Sequence, residues 1–262
     1  MTHDLAGRHA LVTGGSAGIG RAAAIALAGR GADVTVLARD EDALRALAAA
    51  LPCPAAGQQH GWIAVDVADT AALQAKVAAM VSAHPVHILV NNSGGPPGGP
   101  LADAAVEALL AVFRQHLVAA HVLLQAVLPG MRTAGYGRVI NVISTSVKEP
   151  IVGLGVSNTI RGAVASWAKT LASELAADAI TVNNVLPGFT ETARLAGLVA
   201  AKAQRAGCTD AEIEREMLAS VPAGRFARAE ETAAAIAFLA SPAAAYINGI
   251  NLPVDGGRTR SL

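Results

Sequence analysis

Short runs rich in β-branched residues alternate with longer stretches of helical period along the whole chain, and this alternation constrains the fold more than any other feature. The runs are Ala10–Thr13, Asp33–Leu37, Trp62–Val65, Ile88–Val90, Arg138–Ile143, Thr181–Val185 and Ile250–Val254. Several are apolar on both faces, as strands are when helices cover both sides of a sheet. Helical segments are expected to begin near Gly18, Glu41, Ala71, Ala104, Ser157 and Glu230. Parallel neighbours need a crossover long enough to hold a helix, so the repeat predicts an α/β domain on a doubly wound parallel sheet.

The 262 residues suit one domain of this kind. The one long departure from the alternation lies at about 190–222, where a helical insertion carries Thr209 with Glu212 three positions later, the spacing of a capping box. An insertion after a strand's carboxyl end lies at the ligand edge of such sheets, so it is expected to cover a substrate; the plainer alternative is a packing appendage.

Composition narrows the partners. Lys plus Arg and Asp plus Glu number 20 each, leaving no basic excess for nucleic acid or an anionic membrane. Hydrophobic residues make up 53 %, much of it alanine, and charged residues or glycine interrupt each long apolar stretch, so no membrane span is expected. Met1 to Leu5 lack the basic start and apolar run of a secretory signal, and two cysteines suggest no disulfide framework. The cytoplasm is the expected compartment, and no metal-ligand set is expected.

Thr13-Gly14-Gly15-Ser16-Ala17-Gly18-Ile19-Gly20 joins the first strand to the first helix. Glycines in such a turn let backbone approach a pyrophosphate closely, and the helix behind it presents unpaired N–H groups and a positive dipole end. Further on, Asp66-Val67 follows the third strand, Asn91-Asn92-Ser93-Gly94 the fourth and Pro187-Gly188 the sixth. Ser144 ends the fifth, and Asp255-Gly256-Gly257 closes the domain.

With these motifs in this order, nearly the whole chain resembles the short-chain dehydrogenase/reductase family, and its ketoacyl reductases in overall pattern. The resemblance implies a Rossmann-type fold in one domain. It implies that Gly14, Ser16, Gly18, Ile19 and Gly20 form the cofactor turn, that Asp66 and Val67 contact adenine, that Asn92, Ser93 and Gly94 lie along the adenosine ribose, and that Pro187, Gly188 and Thr192 face the nicotinamide.

Cofactor choice turns on the end of the second strand. An acid there would accept hydrogen bonds from a ribose 2′-hydroxyl and repel a 2′-phosphate, whereas an arginine fork pairs with that phosphate. Ala38 occupies the acid's place and Arg39 follows it, which favours NADP(H) over NAD(H). The alternative is a solvated surface arginine beside an Asp40 that caps the next helix.

The catalytic pattern breaks. The family's Asn, Ser, Tyr and Lys would fall at His116, Ser144, Ser157 and Arg161, so only the serine matches. Neither Tyr136 nor Tyr246 has a lysine four residues later, so no shift of register restores the pair. A serine hydroxyl is short and far less acidic than a phenol, and an arginine that stays ionised shuttles no protons, though Arg161 still has donors for a nicotinamide ribose. His116 either supplies a substitute acid titrating near neutrality or is an ordinary helix residue. Lys148 and Glu149 either reach the substrate or form a solvated pair, and Ser144 and Ser146 either hold a carbonyl oxygen or complete turns.

These residues fit NADP(H)-dependent oxidoreduction of a small carbonyl or alcohol substrate, of 3-oxoacyl reductase type with altered proton delivery. They also fit an isomerase, dehydratase or lyase using His116 or Lys148, or a catalytically silent dinucleotide-binding protein. Small residues at Gly162, Ala165, Ser166 and Ala172 of the helix beginning near Ser157 permit close helix approach, so a homodimer is expected, or by the resemblance a homotetramer.

Overall fold

The computed structural model describes residues 3–261 and contains one seven-stranded, wholly parallel sheet in the order β3-β2-β1-β4-β5-β6-β7. The strands are β1 His9–Thr13, β2 Asp33–Ala38, β3 His60–Ala64, β4 Ile88–Asn91, β5 Gly137–Val142, β6 Ile180–Pro187 and β7 Asn251–Val254. Each lies on one of the seven β-rich runs, with ends moved by a residue or two. Strand order reverses between β1 and β4, and this switch point is where a doubly wound sheet opens a crevice at its carboxyl edge.

The helices between the strands are α1 Gly18–Ala28, α2 Glu41–Ala50, α3 Thr70–Ala83, α4 Val106–Phe113, α5 Ala119–Ala134, α6 Gly155–Glu174, α7 Ala193–Ala206, α8 Asp210–Ala219 and α9 Ala229–Leu239. Local chemistry starts several of them. Asp40 accepts from Ala43 N and Asp69 from Ala72 N, each at 3.0 Å, satisfying donors that a first turn leaves unpaired. Thr209 and Glu212 form the expected capping box at the head of α8.

Successive strand residues point to opposite faces, which divides the core in two. Val12 and Val36 pack with Leu27 of α1 and Ile236 of α9 on one side. Leu11 and Leu37 pack with Val77 of α3, Leu124 of α5 and Ala168 of α6 on the other. Burying each such leucine stabilises by about 1.5–3 kcal/mol, against about 1 kcal/mol for a helix cap, so the two apolar layers carry the fold. A third, small cluster joins Leu195, Val199 and Ala203 of α7 to Ile213 and Met217 of α8.

Two features depart from expectation. The helical run Val106–Ala134 is 29 residues long and apolar enough, by length and composition, to cross a membrane, so the apolar stretches are not all interrupted in the sense expected. Its Leu123, Leu124, Val127 and Met131 pack on the sheet. The run is also not one regular helix, because Arg114–Val118 forms a π-helical turn between α4 and α5. On α6, Ala165 and Ala172 are buried within the subunit, so of the small residues considered for close approach only Gly162 and Ser166 are not buried.

An asparagine chain crosses the right half of the sheet. Asn91, Asn141, Asn184 and Asn251 stand in register on β4, β5, β6 and β7. Their amides donate in sequence to the next carboxamide oxygen, at 2.9, 2.9 and 2.8 Å.

Candidate active site

A cleft of about 960 Å³ opens over the carboxyl edge of the sheet. Its floor at the switch point is the Thr13–Gly20 turn. Gly14 has φ +59°, and a Cβ there would meet Asn92 O at 2.6 Å; a Cβ on Gly20 would meet Gly14 O at 2.2 Å. Thr13 Oγ1 accepts from Asn92 N and donates to Asn92 O, both at 2.9 Å, which staples the ends of β1 and β4 below this turn. The result is a cradle of bare backbone at the head of α1, a fit for the pyrophosphate of a dinucleotide.

Gly14, Ser16, Gly18, Ile19, Arg39, Asp66, Val67, Asn92, Ser93, Gly94, Pro187, Gly188 and Thr192 all line the cleft. Gly20 does not; it serves by letting α1 close against Gly14. Asn92 also differs in detail from expectation, since its Nδ2 donates to Thr13 O and Gly14 O, each at 3.3 Å, and so props the turn. Arg39 is exposed at the end of β2, while Asp40 is held by its helix cap. A 2′-phosphate at that end would meet a cation and no uncommitted acid.

At the other end, Ser144, Ser157 and Arg161 come together on the same cleft. Ser144 caps a short 3₁₀ turn, Thr145–Val147, and accepts from Ser146 N at 3.1 Å, which leaves its O–H to donate. Ser157 and Arg161 are one helical turn apart on α6 and therefore share a face. The Arg161 side chain is only 7 % exposed, and its Nη1 donates to Val142 O at the end of β5 at 2.7 Å. Burial, with Arg194 as a second repelling cation, pushes its pKa down to about 10, so it remains charged at neutral pH.

His116 lies elsewhere. It does not line the cleft but an inner void of about 20 Å³, shared with Asn91, Asn141 and Arg161 and large enough for a water molecule. Its Nδ1 is 2.9 Å from Ser93 Oγ, while among the described residues its buried Nε2 and Asn91 Oδ1 have no hydrogen-bond partner. Burial and then Arg161 push its pKa down to about 3. The expectation of an acid titrating near neutrality is thereby corrected, because His116 is neutral there and has no protonated form to use. Lys148 and Glu149 do not line the cleft either, and Glu149 Oε1 instead accepts from Arg260 N and Ser261 N, each at 2.7 Å. Ser146 is buried away from the cleft, and its Oγ has no hydrogen-bond partner among the described residues.

Some lining residues carried no signal in the sequence. Arg194, at the start of α7, reaches back to donate to Pro96 O in the loop after β4. Gln115 Nε2 donates to Gly94 O at 3.1 Å, and Leu154, Phe189, Leu195 and Leu198 form apolar wall. The last two come from the 190–222 insertion.

Comparison with known proteins agrees with this fold. The family profile described as enoyl-(acyl carrier protein) reductase matches residues 14–259. The chain belongs to the short-chain dehydrogenase/reductase family. It is 36 % identical over 255 residues to the 3-oxoacyl-acyl-carrier-protein reductase of Vibrio cholerae, covering 97 % of this chain and 98 % of that one. L-sorbose reductase from Gluconobacter frateurii, solved with NADPH and L-sorbose, superposes with a TM-score of 0.92 at 31 % identity over 100 % of both chains. A variant of the actinorhodin polyketide ketoreductase, solved with NADPH, gives 0.90 at 34 % identity, again over 100 % of both. Family members such as these are oxidoreductases of carbonyls and alcohols, and this chain carries the family fold with Ser157 and Arg161 facing its cleft.

Proposed function

We propose that the chain is a cytoplasmic, NADP(H)-dependent oxidoreductase of a small carbonyl or alcohol substrate, with proton delivery that does not use a tyrosine. The observation that carries this reading is the convergence of the glycine cradle, Arg39, Ser144, Ser157 and Arg161 on one cleft. NADPH bound in related reductases supports the cofactor, and Arg39 in place of an acid supports the preference. The free thiols Cys53 and Cys208 suit a reducing compartment.

Bound there, the nicotinamide would supply the hydride. The residues then divide the remaining work. The O–H groups of Ser144 and Ser157 donate to the substrate oxygen and orient its carbonyl. The Arg161 charge, fixed by Val142 O and desolvated, opposes the negative charge that develops on that oxygen. Arg161 holds its proton at working pH, and a serine hydroxyl is a weak acid, so the proton that completes the alcohol comes from water in the open cleft. Losing a positioned acid costs about 10²–10⁴-fold in rate, so turnover below that of tyrosine-bearing relatives is expected. Leu195 and Leu198 of α7 cover the substrate from above.

A non-redox enzyme built on His116 or Lys148 loses ground, since neither side chain lines the cleft. Calorimetric titration with NADPH and NADH, combined with NADPH absorbance over a panel of carbonyl compounds, tests the proposal. Tight NADPH binding with no oxidation by any carbonyl would support a silent binding protein instead.

A further inference from the structure

The cleft end beside Ser157 contains two cations and no acid. Arg161 and Arg194 both line it, and among the described residues neither forms an ion pair. The acids on the cleft wall are Asp40 and Asp66, and both are committed elsewhere. Asp40 caps α2, and Asp66 accepts from Ala68 N at 2.9 Å at the end of β3, where the adenosine is expected.

Each guanidinium is steered by a single carbonyl, Arg161 by Val142 O and Arg194 by Pro96 O. A carbonyl orients a guanidinium but does not neutralise it. Arg161 is buried, and removing such a charge from water without a counter-ion is costly; the exposed Arg194 on the same cleft adds a second like charge. Burial first, and then Arg194, lowers the Arg161 pKa to about 10. A neutral ribose would accept hydrogen bonds from Arg161 and leave the charge uncompensated. An anion between the two forks removes the imbalance, and a carboxylate matches the fork geometry with paired donors.

We infer that this end of the cleft is a carboxylate subsite, and that the substrate is an oxo acid whose carboxylate lies one or two carbons from the reacting carbonyl. The short separation follows from α6, where Ser157, the hydroxyl on the carbonyl, stands one turn before Arg161, whose charge then serves both that oxygen and the adjacent carboxylate. This rests on the reading that carbonyl reduction takes place beside Ser157. It names the substrate class that the fold does not.

The test uses the full chain, without cofactor and saturated with NADP⁺. Calorimetric titration with oxamate, an unreactive likeness of a 2-oxo acid, and with oxamide, its uncharged counterpart, reads the subsite without turnover. Oxamate is expected to bind, more weakly as salt rises, and oxamide to bind at least about tenfold more weakly. Arg194→Gln is expected to weaken oxamate by about ten- to a hundredfold. Arg194→Lys keeps the charge without the fork and serves if the glutamine variant misfolds; oxamate affinity equal to wild type in a folded lysine variant overturns the paired-donor geometry. In parallel, NADPH oxidation by a 2-oxo acid is expected to exceed that by its methyl ester in kcat/KM, with the preference lost in Arg194→Gln. Equal binding of oxamate and oxamide, or equal turnover of acid and ester, overturns the carboxylate subsite and leaves carbonyl reduction standing. Salt-dependent oxamate binding without NADPH oxidation by any carbonyl upholds the subsite and overturns the reductase reading. An Arg194→Gln variant that loses NADP⁺ affinity but keeps oxamate affinity assigns the guanidinium to the cofactor and overturns the proposal.

Discussion

Asn141 and Asn184 share a hydrogen bond of 2.9 Å, the middle link of the asparagine chain that ties β5 to β6 and so holds the strands under Ser144 and Pro187. Both side chains are nearly inaccessible to water, at 1 % and 3 % exposed. A buried polar group left unpaired costs about 1–3 kcal/mol. Asn184→Ala strands both Asn141 Nδ2 and Asn251 Oδ1, so it should destabilise by roughly 2–5 kcal/mol, whereas Asn251→Ala at the chain's end strands only Asn184 Nδ2 and should cost less. Urea unfolding of the two variants checks the order; equal losses would refute a continuous chain.

Arg39 bears on cofactor choice. Replacing it with alanine should weaken NADPH by about 1.5–3 kcal/mol, roughly ten- to a hundredfold, and leave NADH nearly unchanged, because only NADPH carries the 2′-phosphate. Calorimetry with both nucleotides reads the difference. A parallel fall for the two would remove Arg39 from the phosphate site.

His116 should make stability depend on acid. Its folded pKa, about 3, lies below the ordinary 6.5, so the unfolded chain binds the proton first as pH falls. The stability it allows is full above about pH 6.5 and is lost between there and about pH 3, at a slope of at most about 1.4 kcal/mol per pH unit. Buried His9 is shifted in the same direction by desolvation and adds to the trend. His116→Asn should flatten the curve of unfolding free energy over this window; an unchanged slope would mean that His116 is not the group responsible.

Ser157→Tyr with Arg161→Lys restores a phenol and an amine at the proton-delivery position. For neutral ketones the double variant should reduce faster than wild type, because the lysine lowers the phenol pKa. Ser157→Tyr alone should help less, since the ring meets the bulkier Arg161, and the pair should be non-additive. For oxo acids the double variant should lose affinity as the Arg161 fork disappears. A folded double variant that binds NADPH normally and gains nothing on any neutral ketone would show that the cleft has been rebuilt beyond these positions.

Oligomerisation is a further expected property. With Ala165 and Ala172 spent on the subunit's own core, the apolar side chains left at the surface include Val106, Leu110 and Phe113 of α4. A dimer or tetramer should appear in light scattering, and Leu110→Glu, which puts a charge on that face, should shift it toward monomer. A concentration-independent monomer in the wild type would count against the assembly.

What the sequence by itself determined is local or periodic. The strands, the helix starts, the Thr209–Glu212 cap and the glycine turn are each encoded within a few consecutive residues, where period, capping chemistry and steric freedom act. The sequence also revealed that serine and arginine stand at 157 and 161. Only the tertiary structure decided what those residues face. Arg194 and Arg161 line one cleft because Arg194 reaches from the start of α7 to Pro96 O in the loop after β4 while Arg161 is held at the end of β5, and no spacing records a meeting of segments so distant along the chain. His116 is neutral because the π turn carries it inside, beside Ser93, and its environment rather than its residue type sets its proton affinity. The four asparagines form a chain only because strand register aligns them, and register belongs to the assembled sheet.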